Sequence, residues 1–163
     1  MALASPSALA DPHVALMIRL PAHTGEPIAV ADRLGIGPTL VIFYRGHWCP
    51  FCRRYLCKLQ SNLRRFRDRG VELCGICPEP IDTIRSMADY LRITFPLLSD
   101  ADGLAIEAFG VRNAFSAARS LMPHPAAILI DTDGRERFRS VNRNYKRRAT
   151  MHKLFGAIDQ LDH

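Results

Sequence analysis

The sequence predicts a single α/β domain in which a central mixed β-sheet is flanked by helices on both faces. Short apolar runs alternate with amphipathic segments along the chain, in the order expected of βαβ units. Near the end, a turn at residues 131–134 (Asp-Thr-Asp-Gly) predicts a hairpin, and an amphipathic segment follows it. The 163 residues are 48% hydrophobic, which suits one core and is short for two. We place the domain at residues 14–163, after a loose N-terminal segment at residues 1–13.

The individual elements follow from two periodicities. Residues 39–44 (Thr-Leu-Val-Ile-Phe-Tyr) are β-branched and aromatic almost throughout, which predicts a strand buried on both faces. From Cys52 to Phe66, large apolar residues recur at steps of four and three, which is one stripe of a helix that ends at Gly70. The same patterns predict strands at residues 71–77, 95–98, 126–130 and 136–141, and helices at residues 81–91, 104–109 and 150–161.

Composition argues against several classes of function. No apolar run approaches the roughly 20 residues that a bilayer span needs, and residues 1–10 lack the basic start and apolar stretch of a secretory signal. The formal charge of +6 comes largely from residues 64–69, on the polar face of a predicted helix, and from residues 143–148. The second run contains one aromatic residue, but no recognisable nucleic-acid module accompanies it. We therefore expect neither a membrane nor a nucleic-acid partner.

The five cysteines lie close together in the sequence, at positions 49, 52, 57, 74 and 77. An odd and clustered set argues against a secreted disulfide scaffold. It favours a reduced compartment in which thiols react or bind metal. We therefore expect a cytoplasmic protein.

Cys49 and Cys52 are the candidate reactive thiols. They lie where a buried strand leads directly into a helix, and a helix N-terminus favours an anion such as a thiolate. This position lowers a cysteine pKa from about 8.5 to roughly 3.5–7.5. Arg45, Arg53 and His47 add positive potential. Three residues apart on one helical turn, the two thiols are able to form a disulfide.

Two further readings of the cysteines stay open. With the pair at positions 74 and 77, Cys49 and Cys52 give a spacing close to that of a zinc ribbon. However, Cys74 and Cys77 lie three apart in a predicted strand and face opposite ways, which suits a core better than a metal site. We expect no metal and no other cofactor. Cys57 lies about 140° around the helix from Cys52, so these two pair only if the helix unwinds.

The segment at residues 43–54 (Phe-Tyr-Arg-Gly-His-Trp-Cys-Pro-Phe-Cys-Arg-Arg) resembles the active-site stretch of a known family. The family comprises the peroxiredoxin-like members of the alkyl hydroperoxide reductase/thiol-specific antioxidant (AhpC/TSA) group, within the thioredoxin superfamily. Further stretches match in order at residues 95–100, 108–111 and 130–134. The resemblance implies a thioredoxin-like fold, a hydroperoxide substrate and a thioredoxin-type or other dithiol reductant. A homodimer is one assembly that such a chain can form.

By resemblance, Cys52 occupies the peroxidatic position of the family motif Pro-x-x-x-Thr-x-x-Cys. Cys49 stands where the motif has Thr, and Arg45 stands where it has Pro. Pro125 stands where the family has an active-site Arg, and Arg112 is a candidate replacement guanidinium. Thioredoxins have a cis proline at the place of Pro125, so this second resemblance implies a cis bond there. The alternative is an ordinary trans proline at the start of a strand.

The mixture of patterns supports two activities. As a peroxidase, the chain would oxidise Cys52 to a sulfenic acid, which Cys49 or Cys57 would then resolve as a disulfide. The alternative Cys57 rests on resemblance to some one-domain peroxiredoxins of the bacterioferritin-comigratory type, whose resolving cysteine lies five residues downstream and reacts after local unfolding. As a thioredoxin-like disulfide oxidoreductase, the chain would instead attack with Cys49, beside Trp48. A zinc-binding module without enzymatic activity is the lesser alternative.

Overall fold

The computed structural model of the protein describes residues 12–115 and 121–161. Within them, the strands in chain order are β1 Arg19–Ala22, β2 Gly25–Ala29, β3 Thr39–Phe43, β4 Glu72–Cys77, β5 Leu97–Ser99, β6 Ala126–Ile130 and β7 Glu136–Val141. The helices are α1 Pro12–Met17, α2 Val30–Leu34, α3 Pro50–Ser61, α4 Leu63–Asp68, α5 Ile81–Leu91, α6 Leu104–Ala108 and α7 Met151–Asp159. None of these helices is long and apolar enough to cross a bilayer.

All seven strands form one mixed sheet in the order β2-β1-β5-β4-β3-β6-β7. The central strand β3 runs parallel to β4 and antiparallel to β6, so that Thr39 lies opposite both Glu72 and Ile130. β4 and β5 are parallel, whereas the outer pairs are antiparallel. This arrangement confirms the predicted α/β architecture with a mixed central sheet.

The sheet separates two apolar layers. Ile42 packs among α3, α4, α5 and α7 on one face, and its neighbour Phe43 packs among α1, α2 and α6 on the other. This alternation follows from the two-residue period of a strand. Cys77 belongs to the first layer and Cys74 to the second, so these two thiols do face opposite sides of the sheet, as predicted.

Three parts of the fold differ from the sequence prediction. The single helix predicted from Cys52 to Gly70 is broken at Asn62, whose side chain donates a hydrogen bond to the Lys58 carbonyl (2.8 Å). Such a local bond competes with the helical pattern of the backbone. Of the predicted loose N-terminal segment, residues 1–11 lie outside the described part. Pro12 and His13 belong to the first turn of α1, a helix that was not predicted.

The strands β1 and β2 and the helix α2 were not predicted. β1 contains Pro21, and β2 contains Pro27, and proline normally argues against a strand. The pairing of β1 with β2 shifts register between Leu20 and Ala22, and β2 lies at the edge of the sheet. A bulge and an edge are the two places where a sheet tolerates the missing N–H.

Asp131 closes the hairpin between β6 and β7, and its loss is expected to destabilise the fold. Its carboxylate accepts the backbone N–H groups of Asp133 (3.0 Å) and Arg135 (2.9 Å) and the Arg137 guanidinium (2.6 Å). Burial raises the pKa of Asp131, but these hydrogen bonds outweigh it and lower the pKa below its usual value. Because the folded pKa is lowered, the stabilisation is present at neutral pH and is lost as the pH falls through it.

We expect Asp131→Ala to lower the free energy of unfolding at pH 7 by about 2 kcal/mol, as for charged hydrogen bonds. Urea unfolding at pH 7 and at pH 3 measures this, and the difference between variant and wild type should shrink at the lower pH. Asp133→Ala, in the exposed part of the same turn, is the matched control. An Asp131→Ala protein that is as stable as the control would contradict this role.

Candidate active site

The residues between β3 and α3 form a tight connection at the carboxyl edge of the sheet. The Tyr44 N–H continues the ladder to the Ile76 carbonyl (3.1 Å), and the Cys49 N–H bonds the Gly46 carbonyl (3.3 Å). Cys49 is the N-cap of α3 and Pro50 its first residue, where a missing N–H has no cost. Cys49 and Cys52 are each only 1% exposed. The strand-to-helix turn therefore places both thiols together under the protein surface.

One guanidinium covers both sulfur atoms. Nη2 of Arg148 lies 3.0 Å from Sγ of Cys52 and 4.0 Å from Sγ of Cys49. The backbone N–H of Arg45 also points at Sγ of Cys52 (3.4 Å), and Nη1 of Arg45 lies 4.0 Å from Sγ of Cys49. Cys52 thus has the closer pair of donors, one cationic and one from the backbone.

Arg148 was not singled out from the sequence, where it is one of several cations in residues 143–148. The fold selects it because the chain directly after it is fixed in place. The Tyr55 hydroxyl donates to the carbonyl of the buried Ala149 (2.7 Å), and the Thr150 hydroxyl caps α7 by accepting the Lys153 N–H (3.2 Å). Nη1 of Arg148 bonds the Tyr145 carbonyl, which leaves Nη2 aimed at the thiols. The Thr150 cap is a sequence signal for this placement, but the contact itself spans 96 residues.

The two thiols have opposite pKa shifts. Burial raises the pKa of Cys52, and its hydrogen bond to Cys49 raises it further. Burial opposes ionisation of Cys49 as well, but hydrogen bonds from the Cys52 thiol and backbone N–H, together with Arg148 and Arg45, outweigh it and lower the pKa of Cys49. Cys49 is therefore the thiol of the pair that ionises more readily, and both arginines stabilise its negative charge.

Aromatic side chains hold Arg45 over this site. Its guanidinium lies 4.8 Å from the ring centroids of both Trp48 and Tyr145. The Tyr145 ring also meets Phe51 edge-on at 5.8 Å. Cation–π contacts of this kind orient a guanidinium without neutralising its charge. They join the loop before α3 to the segment that carries Arg148.

His47 is turned away from the sulfurs and toward Glu79. The Glu79 carboxylate accepts the His47 backbone N–H (2.6 Å) and also contacts Nδ1 of the ring. A side chain on Gly46 would collide here, because its Cβ would lie 2.6 Å from Nε1 of Trp48 and 3.1 Å from the Glu79 carboxylate. Through these contacts His47 connects the loop before α3 to the residues that follow β4, and its ring contacts the Glu79 carboxylate.

Two other sequence candidates are placed differently from the expectation. Arg112 forms an ion pair with Glu107 (2.6 Å), five residues earlier at the end of α6, so its guanidinium is not the one on the thiols. The guanidinium that contacts both thiols belongs to Arg148. The His124–Pro125 bond is trans, which corrects the cis bond implied by the thioredoxin resemblance. Pro125 precedes β6, and its carbonyl accepts the Asn142 N–H (2.9 Å).

The remaining thiols are less suited to chemistry. Burial raises the pKa of Cys74 and of Cys77 to about 12. Cys57 is half-buried on α3, which is intact at this point. In residues 12–115 and 121–161, no group of three His, Cys, Asp or Glu side chains is arranged to hold a metal ion. The zinc alternative therefore finds no site in the part of the chain that the structure describes.

Comparison with known proteins agrees with this geometry. The profile described as "AhpC/TSA family" matches residues 13–138. Peroxiredoxin Bcp of Escherichia coli is 31% identical over 124 residues, which cover 75% of this chain and 79% of Bcp.

Among solved structures, peroxidoxin BcpB from Mycobacterium tuberculosis is 26% identical with a TM-score of 0.74, covering 87% of this chain and 89% of BcpB. Peroxiredoxin Q of Xanthomonas campestris has a TM-score of 0.78 at 18% identity, covering 91% of this chain and 93% of its own. A secreted disulfide oxidoreductase from M. tuberculosis shares the fold, with a TM-score of 0.69 at 21% identity and coverage of 91% and 98%. The resemblance read from the sequence is confirmed: the chain belongs to the AhpC/TSA family and is a peroxiredoxin-like thiol peroxidase of the thioredoxin superfamily.

Proposed function

We propose that Cys52 is the peroxidatic cysteine and that Cys49 resolves it. The observation that carries this proposal is the pair of donors on Sγ of Cys52, Nη2 of Arg148 at 3.0 Å and the Arg45 N–H at 3.4 Å. Donors on this sulfur favour its thiolate form, and they lie beside the place where negative charge develops on the leaving oxygen as the O–O bond breaks. On Cys49, the two contacting guanidinium nitrogens are each 4.0 Å away.

The opposite pKa shifts of the two thiols give this order of events a physical basis. Cys49 ionises more readily, and transfer of the Cys52 proton to the Cys49 thiolate ionises Cys52. The Cys52 thiolate then attacks one oxygen of the hydroperoxide, and the O–O bond breaks. The sulfur keeps that oxygen as a sulfenic acid, and the departing alkoxide takes the proton from Cys49 to leave as an alcohol.

The same step returns Cys49 to its thiolate form. This thiolate attacks the sulfenic sulfur, the S–O bond breaks, and hydroxide leaves as water after taking a proton from solvent. The resulting Cys49–Cys52 disulfide stores the two electrons that the peroxide has received. A thioredoxin-type dithiol of the cytoplasm is the reductant we propose for returning the pair to its reduced form.

Cys49 is better placed than Cys57 to resolve Cys52. Its pKa is lowered, and its thiol hydrogen-bonds that of Cys52. Cys57 lies five residues along the intact helix α3, so its sulfur would reach Cys52 only after the first turns unwind.

We expect peroxide to produce the Cys49–Cys52 disulfide in the wild type and in Cys57→Ser, and an accumulating Cys52 sulfenic acid in Cys49→Ser. Non-reducing peptide mass spectrometry after one equivalent of hydrogen peroxide measures this directly. Cys57→Ser serves as the matched control on the same helix. Formation of a Cys52–Cys57 disulfide in Cys49→Ser at the wild-type rate would assign the resolving role to Cys57 instead.

A second activity, thioredoxin-like reduction of protein disulfides, is favoured by one observation. The lowered pKa of Cys49 makes it the better nucleophile toward a disulfide at neutral pH. Reduction of insulin disulfides by the dithiol protein, compared with its consumption of hydrogen peroxide, tests this activity. We expect the peroxide reaction to be the faster of the two, and a chain that reduces insulin but leaves peroxide unconsumed would reverse our assignment.

A further inference from the structure

A basic groove lies directly beside the reactive thiols. Phe51, Arg54, Tyr55 and Lys58 of α3 form one wall, and Lys146 and Arg148 form the other. The four helical residues follow the spacing i, i+3, i+4 and i+7, so they share one helix face. The groove has a volume of about 200 Å³.

The groove carries a strong and uncompensated positive charge. Four of its residues are cationic, and no acidic side chain lines it. Within the described residues, none of the four forms an ion pair with a carboxylate, although eight such pairs occur elsewhere. Cations left without acidic partners around one concave site favour an anionic ligand.

The groove also connects to the chemistry through Arg148. The guanidinium that lines it is the one whose Nη2 lies 3.0 Å from Sγ of Cys52. Phe51 and Tyr55 are half-buried and line the groove together with Arg148 and the two lysines. The Tyr55 hydroxyl is already bonded to the Ala149 carbonyl (2.7 Å), which fixes that ring in place. A ligand in the groove would thus meet aromatic surface as well as cations.

We infer that the groove binds the carboxylate end of an organic hydroperoxide whose peroxide group reacts at Cys52. The hydrocarbon between the two ends would contact Phe51 and Tyr55, and Lys58 and Lys146 would attract the carboxylate. The volume is below the roughly 300 Å³ at which drug-sized ligand pockets begin, so it suits a short chain. This inference rests on the proposed peroxidase chemistry and adds to it a preference among substrates.

The test compares two probes that differ only in charge: a straight-chain alkyl hydroperoxide with a terminal carboxylate, and its methyl ester. Trp48, the one tryptophan of the chain, adjoins Cys49, and its fluorescence in stopped flow reports the oxidation phase. We expect the wild type to react about tenfold faster with the acid than with the ester at low salt. At 1 M NaCl, where the screening length is about 3 Å, the preference should largely disappear.

The variant Lys58→Gln/Lys146→Gln should reduce the acid-to-ester ratio to below about threefold. Its rate with hydrogen peroxide, which has no tail to bind, should match the wild type. Arg64→Gln/Arg85→Gln removes the same net charge from other exposed sites and is the control. An equal wild-type rate for acid and ester, or a preference that survives in the groove variant, would overturn the inference.

Further outcomes distinguish a failure of the groove inference from a failure of the proposed function. If the groove variant oxidises normally but its disulfide is reduced slowly by thioredoxin, the groove serves the reductant and the inference is wrong. If Cys52→Ser consumes hydrogen peroxide at the wild-type rate, the proposed function itself fails. Peroxide consumption that depends on Cys52, without any preference for the acid, overturns the groove inference alone.

Discussion

Replacing Cys52 by serine is expected to reduce the rate of hydroperoxide consumption by at least about 10³-fold, because the hydroxyl cannot supply a thiolate. Cys52 is the thiol with the closest pair of donors, and it is buried in the first layer of the core. Serine is close to cysteine in size, so the loss should come from chemistry and leave the fold in place. Peroxide consumption with a dithiol reductant, alongside a thermal unfolding scan, measures both.

Cys57→Ser is the matched control for this variant, because Cys57 lies on the same helix but is half-buried and outside the thiol pair. It should retain peroxide consumption within about twofold of the wild type. Full activity in a folded Cys52→Ser protein would mean that Cys49 attacks the peroxide, and the roles assigned to the two thiols would be exchanged.

Removing the Arg148 guanidinium is expected to have the second largest effect. We expect Arg148→Ala to lower the rate constant for oxidation by hydrogen peroxide about 10²-fold, which is typical for loss of one donor that stabilises a developing anion. Its charge lowers the pKa of both Cys49 and Cys52. Without it both pKa values rise, so less thiolate is present at neutral pH and the pH–rate profile moves to higher pH.

The size and the pH dependence of this effect separate two contributions. At a pH high enough to ionise the thiols in both proteins, the part of the loss due to the pKa change should disappear, and a smaller loss from missing O–O polarisation should remain. Arg148→Lys should recover part of the rate, since a lysine supplies charge without the planar geometry of a guanidinium. Arg147→Ala, at the exposed neighbouring position, should behave as the wild type. An Arg148→Ala protein with an unchanged profile would contradict the role of this residue.

The regular part of the fold was predictable because its signals are local. The strand β6 and the helix α5 occur at the predicted bounds because one is a continuous apolar run and the other a clean helical stripe, and β7 does so because the turn at residues 131–134 sets its start. The N-terminal elements were missed because Pro21 and Pro27 are acceptable only at a bulge and in an edge strand. Whether a strand becomes an edge depends on what pairs with it, and a local pattern does not contain that information.

The thiol pair was predictable because its two residues are close in sequence, whereas Arg148 was not because it is distant from them in sequence. Cys49 and Cys52 lie in one strand-to-helix segment, so their spacing alone brings them together. The guanidinium over them comes from a residue 96 positions away, selected by the packing of Tyr55 on Ala149 and by the start of α7. Arg112 was an equally plausible cation in the sequence, but its partner Glu107 holds it at the end of α6.

The difference in pKa between the two thiols could be found only from the structure. The helix N-terminus predicts a lowered pKa for either cysteine. Burial raises the pKa of both, but the interaction between the two thiols lowers the pKa of Cys49 and raises that of Cys52. This difference sharpens the sequence-based hypothesis. The proton that Cys49 receives from Cys52 goes on to the leaving alkoxide, and Cys49 is then again the thiolate that resolves the sulfenic acid.

The most direct test of the account is the position of the first oxidised sulfur. One equivalent of hydrogen peroxide is added to Cys49→Ser and to Cys52→Ser in the presence of dimedone, which captures sulfenic acids, and the labelled peptide is identified by mass spectrometry over time. We expect rapid labelling of Cys52 in Cys49→Ser, and labelling of Cys49 in Cys52→Ser that is slower by at least about 10³-fold. Labelling of Cys49 at the rate of wild-type oxidation, with Cys52 unlabelled in the other variant, would contradict it.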